Sequence, residues 1–244
     1  MKAAKRFSIA AIASIAALSL VACEEVTIKV GHKNGVKGSG VSATETRAMS
    51  KFTGVELAGV GKLLLKVGEG TTYSVKLTGD DNLLPFIETV VTGNTLSIRP
   101  KDSISLSNSV GFTYEVTAPK IEKIESSGAA SVEGSGFRGG KLALDVSGVG
   151  SVKLAGRVDE FRADLSGAGS LNSSELIAND VRVELSGVGS ADVQANQRMR
   201  GSVSGLGSIN WRGDATDVKT DVSGLGSVRK SGESKKTADT KVNV

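Results

Sequence analysis

Ser147-Gly148-Val149-Gly150-Ser151 returns along the second half of the chain as Ser166-Gly167-Ala168-Gly169-Ser170, Ser186-Gly187-Val188-Gly189-Ser190, Ser204-Gly205-Leu206-Gly207-Ser208 and Ser223-Gly224-Leu225-Gly226-Ser227. A degenerate copy, Ser127-Gly128-Ala129-Ala130-Ser131, precedes them. The first serines of the copies thus stand at positions 127, 147, 166, 186, 204 and 223. A period this short and regular decides the architecture before any local propensity, because each repeat buries its apolar face only by stacking on its neighbours. The expectation is an all-β fold, a single-stranded right-handed parallel β-helix or solenoid. Its coils, each of roughly 18–20 residues, occupy positions 121–231.

Alignment on the first serine turns the repeats into columns. One, three and five residues before it stand Val146/Leu144/Leu142, Leu165/Ala163/Phe161, Leu185/Val183/Val181, Val203/Gly201/Met199 and Val222/Thr220/Val218. Alternate residues of a strand share a face, so this overwhelmingly apolar set is the predicted core. The corner residues Val149, Ala168, Val188, Leu206 and Leu225 are expected to drop inward as the chain turns. The paired glycines Gly148/Gly150, Gly167/Gly169, Gly187/Gly189, Gly205/Gly207 and Gly224/Gly226 are read as structural corners, where bends must nest without side-chain bulk and φ is often positive. The flanking serines would then stack and satisfy corner carbonyls.

Between these apolar positions lie two charged columns. Four residues before the serine come Lys123, Ala143, Arg162, Arg182, Arg200 and Lys219; two before it come Glu125, Asp145, Asp164, Glu184, Ser202 and Asp221. A basic column beside an acidic one reads either as a solubilising, register-setting lattice or as a binding ribbon, and Arg162, Arg182, Arg200, Lys219, Asp145, Asp164, Glu184 and Asp221 are its candidate residues.

The first half of the chain carries the same idea less regularly. From 51 to 120, short apolar runs such as Leu63-Leu64-Leu65, Leu96/Ile98 and Phe112/Tyr114/Val116 predict an irregular N-terminal β region, with turns at Gly79-Asp80-Asp81-Asn82 and Gly93-Asn94. Gly59-Val60-Gly61 aligns as a further corner, with Glu56 in the acidic column. It is not a phosphate loop, because Glu56 and Leu63 stand where that motif needs glycine and a hydroxyl residue.

Before the fold comes a secretory signal over 1–22, with Lys2, Lys5 and Arg6 ahead of an apolar run from Phe7 to Val21. Its exit, Leu20-Val21-Ala22-Cys23, looks like a bacterial lipobox and makes Cys23 the expected site of lipidation. Two or three acyl chains on one residue hold a protein on a membrane without spanning it. Glu24, rather than aspartate, follows the cysteine, and outer-membrane placement is the expectation. Residues 23–50, broken by Gly31, Gly35, Gly38 and Gly40, read as a flexible tether, and 232–244 as a charged tail.

Several function classes fall away on composition. Removing Lys2, Lys5 and Arg6 from 30 basic residues leaves 27 against 26 acidic ones, so no electrostatic case for nucleic acid remains. His32 is the sole histidine and Cys23 the sole cysteine, which rules out a His-based triad, a His-rich metal centre and an internal disulfide. No cofactor motif and no metal-ligand cluster is seen, and the corners lack the aspartates of calcium-binding β-rolls.

Phe52-Thr53-Gly54-Val55 leading to Gly59-Val60-Gly61, then Gly79-Asp80-Asp81-Asn82-Leu83-Leu84, Leu96-Ser97-Ile98, and Ala118-Pro119 ahead of the serial corners form an ordered set over about 52–231. This set resembles the putative adhesins with a head GIN domain. The resemblance implies an envelope protein of right-handed β-helical build with an adhesin role, and it carries over no catalytic or ligand residues. The expected function is therefore a non-catalytic, lipid-anchored interaction module whose partners are the membrane and a polysaccharide or another envelope or cell-surface protein. A polysaccharide-acting β-helix enzyme and a scaffold without specific ligand are the alternatives. An enzyme should interrupt its coils with long loops that build a cleft, and these coils keep nearly the same length from one corner to the next.

Overall fold

The computed structural model describes residues 34–68, 70–101 and 104–231. The signal segment 1–22, Cys23, His32 and the charged tail 232–244 lie outside the described residues. In chain order the strands are β1 (Asn34–Lys37), β2 (Ser42–Ala48), β3 (Gly54–Leu57), β4 (Val60–Val67), β5 (Ser74–Asp80), β6 (Ile87–Thr92), β7 (Thr95–Pro100), β8 (Ile104–Ser107) and β9 (Thr113–Ala118). They continue as β10 (Lys123–Ser126), β11 (Ala129–Arg138), β12 (Lys141–Val146), β13 (Val149–Leu165), β14 (Ala168–Leu185), β15 (Val188–Val203), β16 (Leu206–Arg212), β17 (Asp217–Val222) and β18 (Leu225–Lys230). A single 3-10 turn, Leu84–Phe86, interrupts them.

The strands stack into two ladders that share the long strands β13, β14 and β15. One ladder runs β6, β7, β3, β10, β12, the second half of each long strand, and β17; the other runs β2, β5, β9, β4, β11, the first half of each long strand, β16 and β18. Pairing is parallel throughout the repeats, with equivalent residues facing in register: Asp145 on Asp164, Asp164 on Glu184, Leu165 on Leu185 and Leu185 on Val203. A solenoid obtains parallel pairing without separate crossover helices because each coil is the crossover for the next. The predicted core column is buried in Leu142, Leu144, Phe161, Ala163, Leu165, Val181, Val183, Leu185, Met199 and Val203. Trp211 is buried near the end of the stack on Val193, with the Lys230 ammonium 4.8 Å from its ring centroid.

The stack does not begin at residue 121. Glu125 faces Glu56 and Ala129 faces Val60, so Gly59-Val60-Gly61 is a corner of the same solenoid and residues on both sides of 120 share its ladders. Antiparallel strands close this end: β6 folds back on β7, and β2 pairs with β5, which in turn pairs with β9. Phe52, Leu77, Leu83, Phe112 and Tyr114 fill the space beneath them.

The tether expected over 23–50 is corrected from residue 34 onward. β1 pairs in parallel with β8, and β2 pairs antiparallel with β5 along its full length. The reason is a buried carboxylate. Asp80 accepts the backbone N–H groups of Gly40 at 2.7 Å, Ser109 at 2.9 Å and Val110 at 3.3 Å, tying the turn after β1 to the turn after β8. The Ser109 bond is the main cause that holds Asp80 below the usual carboxylate range, against burial, which acts to raise it. Gly38 passes so close that a Cβ there would lie 2.5 Å from the Asp80 carboxylate. Arg47 of β2 donates to the carbonyls of Ile87 and Leu84 and to the Glu45 carboxylate, pinning β2 across the 3-10 turn.

Candidate interaction surface

The corner is where sequence and structure part most clearly. Its apolar residue points outward: Val149 is 61% exposed, Val188 54%, Leu206 50% and Leu225 79%. Strand alternation simply continues through the corner, so Ser147, Val149 and Ser151 share the outer face while the glycines between them point along the stack. A Cβ on Gly148 would lie 1.9 Å from the Gly128 carbonyl oxygen, one on Gly167 1.8 Å from that of Gly148, and one on Gly169 2.0 Å from that of Gly150. The carbonyl of the preceding coil already fills the volume a side chain needs. Glycine is thus required at most corners by contact rather than by backbone angle. Gly150 and Gly189 add the second reason, with φ of 151° and 155°.

The outward residues form one uncharged ladder. Val60, Ala129, Val149, Ala168, Val188, Leu206 and Leu225 face one another coil by coil. At about 4.8 Å per coil this apolar ridge is roughly 29 Å long. From Ala129 onward serines border it on both sides, and they stack less than expected: Ser131 and Ser151 hydroxyls lie 3.3 Å apart, and Ser166 donates to the Val146 carbonyl at 3.4 Å.

Beside the ridge run the charged columns, which the structure places on one outer sheet face as the spacing predicts. Arg162 Nε donates to Asp164 Oδ2 at 2.9 Å, and Arg182 Nε to Glu184 Oε1 at 2.7 Å, each within its own coil. Lys123 pairs with Glu125 at 2.8 Å. Longer contacts of 3.9 Å link coils, from Lys123 to Asp145 and from Arg162 to Glu184. Arg200 has Ser202 where other coils carry an acid, and it reaches Asp217 Oδ2 on the next coil at 2.6 Å. Lys219 and Asp221 have no ion pair among the described residues. Asp145 shares its coil with Ala143 instead of a base; burial first, and then the charge of Asp164, push its carboxyl above the usual range. The Asp164 Oδ1 atom is buried without a hydrogen-bond partner. An open groove of about 370 Å³ crosses the last three coils of this face, lined by Arg182, Glu184, Arg200, Gly201, Lys219 and Asp221. Among the described residues no three His, Cys, Asp or Glu side chains converge on a point where an ion could sit.

The repeat columns therefore locate the charged faces, while the apolar ridge and Asp80 emerge only from the structure. Alternation of 147, 149 and 151 carries the signal for the ridge. Nothing local carries one for Asp80, whose partners are backbone groups of two distant turns.

None of the curated proteins matches the sequence at a significant level. Among solved structures, a putative adhesin from Bacteroides fragilis NCTC 9343 superposes with a TM-score of 0.62 at 21% identity, covering 80% of this chain and 100% of its own. A putative adhesin from Parabacteroides merdae ATCC 43184 gives a TM-score of 0.47 at 17% identity, covering 81% of this chain and 99% of its own. The first of these likenesses supports the fold. A family model described as "putative auto-transporter adhesin, head GIN domain" matches residues 51–215, more than half of the sequence and every feature from the first corner to the fourth full copy of the repeat. The chain belongs to this putative adhesin, head GIN domain family.

Proposed function

We propose that the protein is a non-catalytic surface interaction module, held in the cell envelope by lipid on Cys23 at the outer membrane and binding through the outer face of its coils. The observation that carries this reading is the apolar ridge lying in register beside the ion-paired columns. A contiguous uncharged strip rimmed by polar residues is the kind of surface that soluble monomers seldom leave uncovered. The columns supply the polar rim and a fixed charge pattern that favours one ligand orientation over another. Coils of nearly constant length support the same reading, since they present a continuous face rather than a loop-walled cleft.

The test is retention of envelope polysaccharides and envelope proteins on immobilised mature protein, compared with a variant carrying Arg162→Glu, Arg182→Glu and Arg200→Glu. The reversals place like charges beside Asp164 and Glu184, and a new acid beside Ser202, on an exposed face. Retention is expected to fall and its salt dependence to change, with the β-type circular dichroism preserved. Unchanged retention by the folded variant would refute the ribbon. Turnover of an envelope polysaccharide that is lost in Asp164→Asn would replace the proposal with an enzyme.

A further inference from the structure

The two ends of the solenoid are finished differently. Antiparallel strands and buried aromatic residues close the end that holds β2 and β6. At the other end β17 pairs with β15 and β18 with β16, and among the described residues no strand lies beyond them. The core column runs out into solvent there: Val218 is 38% and Val222 44% exposed, whereas Met199 and Val203 beneath them are fully buried. A free parallel edge with exposed inward side chains is a template for another strand.

We propose that this last coil docks on the last coil of a second copy, end to end about a two-fold axis. Such pairing joins two surfaces that each carry the protein. It rests on the reading above that the chain is an interaction module anchored through its N-terminal part; β17 and β18 end the ladders opposite β2 and β6.

The strand itself points to a second copy. Asp217-Val218-Lys219-Thr220-Asp221-Val222 is self-complementary when laid antiparallel on an identical strand with Thr220 at the axis. Val218 then faces the partner's Val222, Lys219 faces the partner's Asp221, and Thr220 faces the partner's Thr220. Directly opposed residues of an antiparallel pair share one sheet face, so the valines meet inside and the charges outside. Within one chain, by contrast, Lys219 stacks on Arg200, a like charge, and Asp221 on Ser202. Bases and acids of the preceding coils are already ion-paired, whereas Lys219 and Asp221 make no salt bridge among the described residues, and Lys219 has only the longer-range attraction of Asp217 on its own strand. The two-fold arrangement satisfies both at once, and such isologous contacts are the commonest way identical chains meet.

The contact is small. Each last-coil strand has six residues and is about 20 Å long, so one coil end falls short of the roughly 800 Å² per partner of a standard stable interface. A single pair is therefore weak, and many pairs between two coated surfaces bind by avidity. The assay must be multivalent. Cys23 is the one cysteine, so the mature, unacylated chain can be coupled to maleimide beads at this single point in its N-terminal part.

Wild-type beads should cluster at about 0.15 M salt, and beads carrying Asp221→Lys should stay dispersed, because the introduced lysine meets the partner's Lys219. Beads carrying both Lys219→Asp and Asp221→Lys should cluster with one another and not with wild-type beads. This sorting is specific to an antiparallel two-fold contact. Circular dichroism melting checks that each variant folds. Dispersed wild-type beads overturn the pairing, as does equal clustering by Asp221→Lys. Clustering seen only after removal of residues 232–244 also overturns it, since the tail would then be the occupant of the last coil. Any of these results leaves the ribbon test with Arg162, Arg182 and Arg200 standing, and failure of that test with intact clustering leaves the end-to-end contact standing.

Discussion

Gly187→Ala adds one methyl group where two coils nest closely. Its Cβ would sit 1.8 Å from the Gly167 carbonyl oxygen and 2.8 Å from the Ser166 carbonyl carbon. A relaxed carbon–oxygen contact is about 3.3 Å or more, so one coil must move by roughly 1.5 Å, a third of the coil spacing. Two ladder bonds lie at that point, Val188 N–H to the Gly167 carbonyl at 3.0 Å and Gly187 N–H to the Leu165 carbonyl at 3.2 Å. Strain of this kind costs about 1–3 kcal/mol, and one N–H left unpaired a further 1–3 kcal/mol, giving a loss on the order of 2–6 kcal/mol. For a body of this size that lowers Tm by roughly 5–20 °C. Gly59→Ala is the control. It occupies the same place in the first corner, yet its Cβ would meet only Pro100, with Cδ at 3.5 Å, an ordinary contact. Its Tm should stay within about 2 °C of the parent. Gly224→Ala should fall between the two: its Cβ would lie 2.2 Å from the Gly205 oxygen, but the last coil has a described neighbour on one side only and can yield. Equal melting temperatures for Gly187→Ala and Gly59→Ala, followed by circular dichroism, would show that the nested carbonyl does not dictate the glycine.

Asp80→Asn should lower Tm at neutral pH, because an amide replaces an acceptor of three N–H groups with one that can serve fewer. Asp80 has a depressed folded pKa, so its contribution is present above the unfolded value near 3.9 and disappears as pH falls through the folded pKa. The gap in Tm between parent and variant should accordingly narrow below about pH 4, and a gap that stays constant from neutral to strongly acid pH would refute the role given to the ionised carboxylate. Cys23→Ser should abolish both metabolic acyl labelling and retention in the membrane fraction; recovery of the variant with unchanged lipid mass would remove the anchor from the proposal.

Much of the fold is legible in the sequence because its signals are local and repeated. The short, regular period sets the coil, and the columns before each serine identify core and charged faces residue by residue. The direction of Val149 and Val188 is not legible in this way: a Gly-x-Gly corner suggests a break in alternation, whereas the backbone keeps its two-residue period through the bend. β1 and β2 look like tether because what orders them is distant in the chain, namely β8, β5 and the Asp80 carboxylate. Exposure of Val218 and Val222 is equally invisible, since the last coil repeats the pattern of the buried ones and differs only in that no described strand lies above it.

The glycine-to-carbonyl nesting has a consequence for how such a molecule can change over generations. Each coil fits its neighbours through the same contacts, so an in-frame duplication of one unit, such as the stretch from Ser166 to Leu185, lands in a slot already shaped to receive it. Every such copy would lengthen the stack by about 4.8 Å and extend the ridge by one side chain, while the closed end and the free last coil stay as they are. The number of coils can therefore rise or fall by recombination between the repeated corners, with the chemistry of the two ends inherited intact.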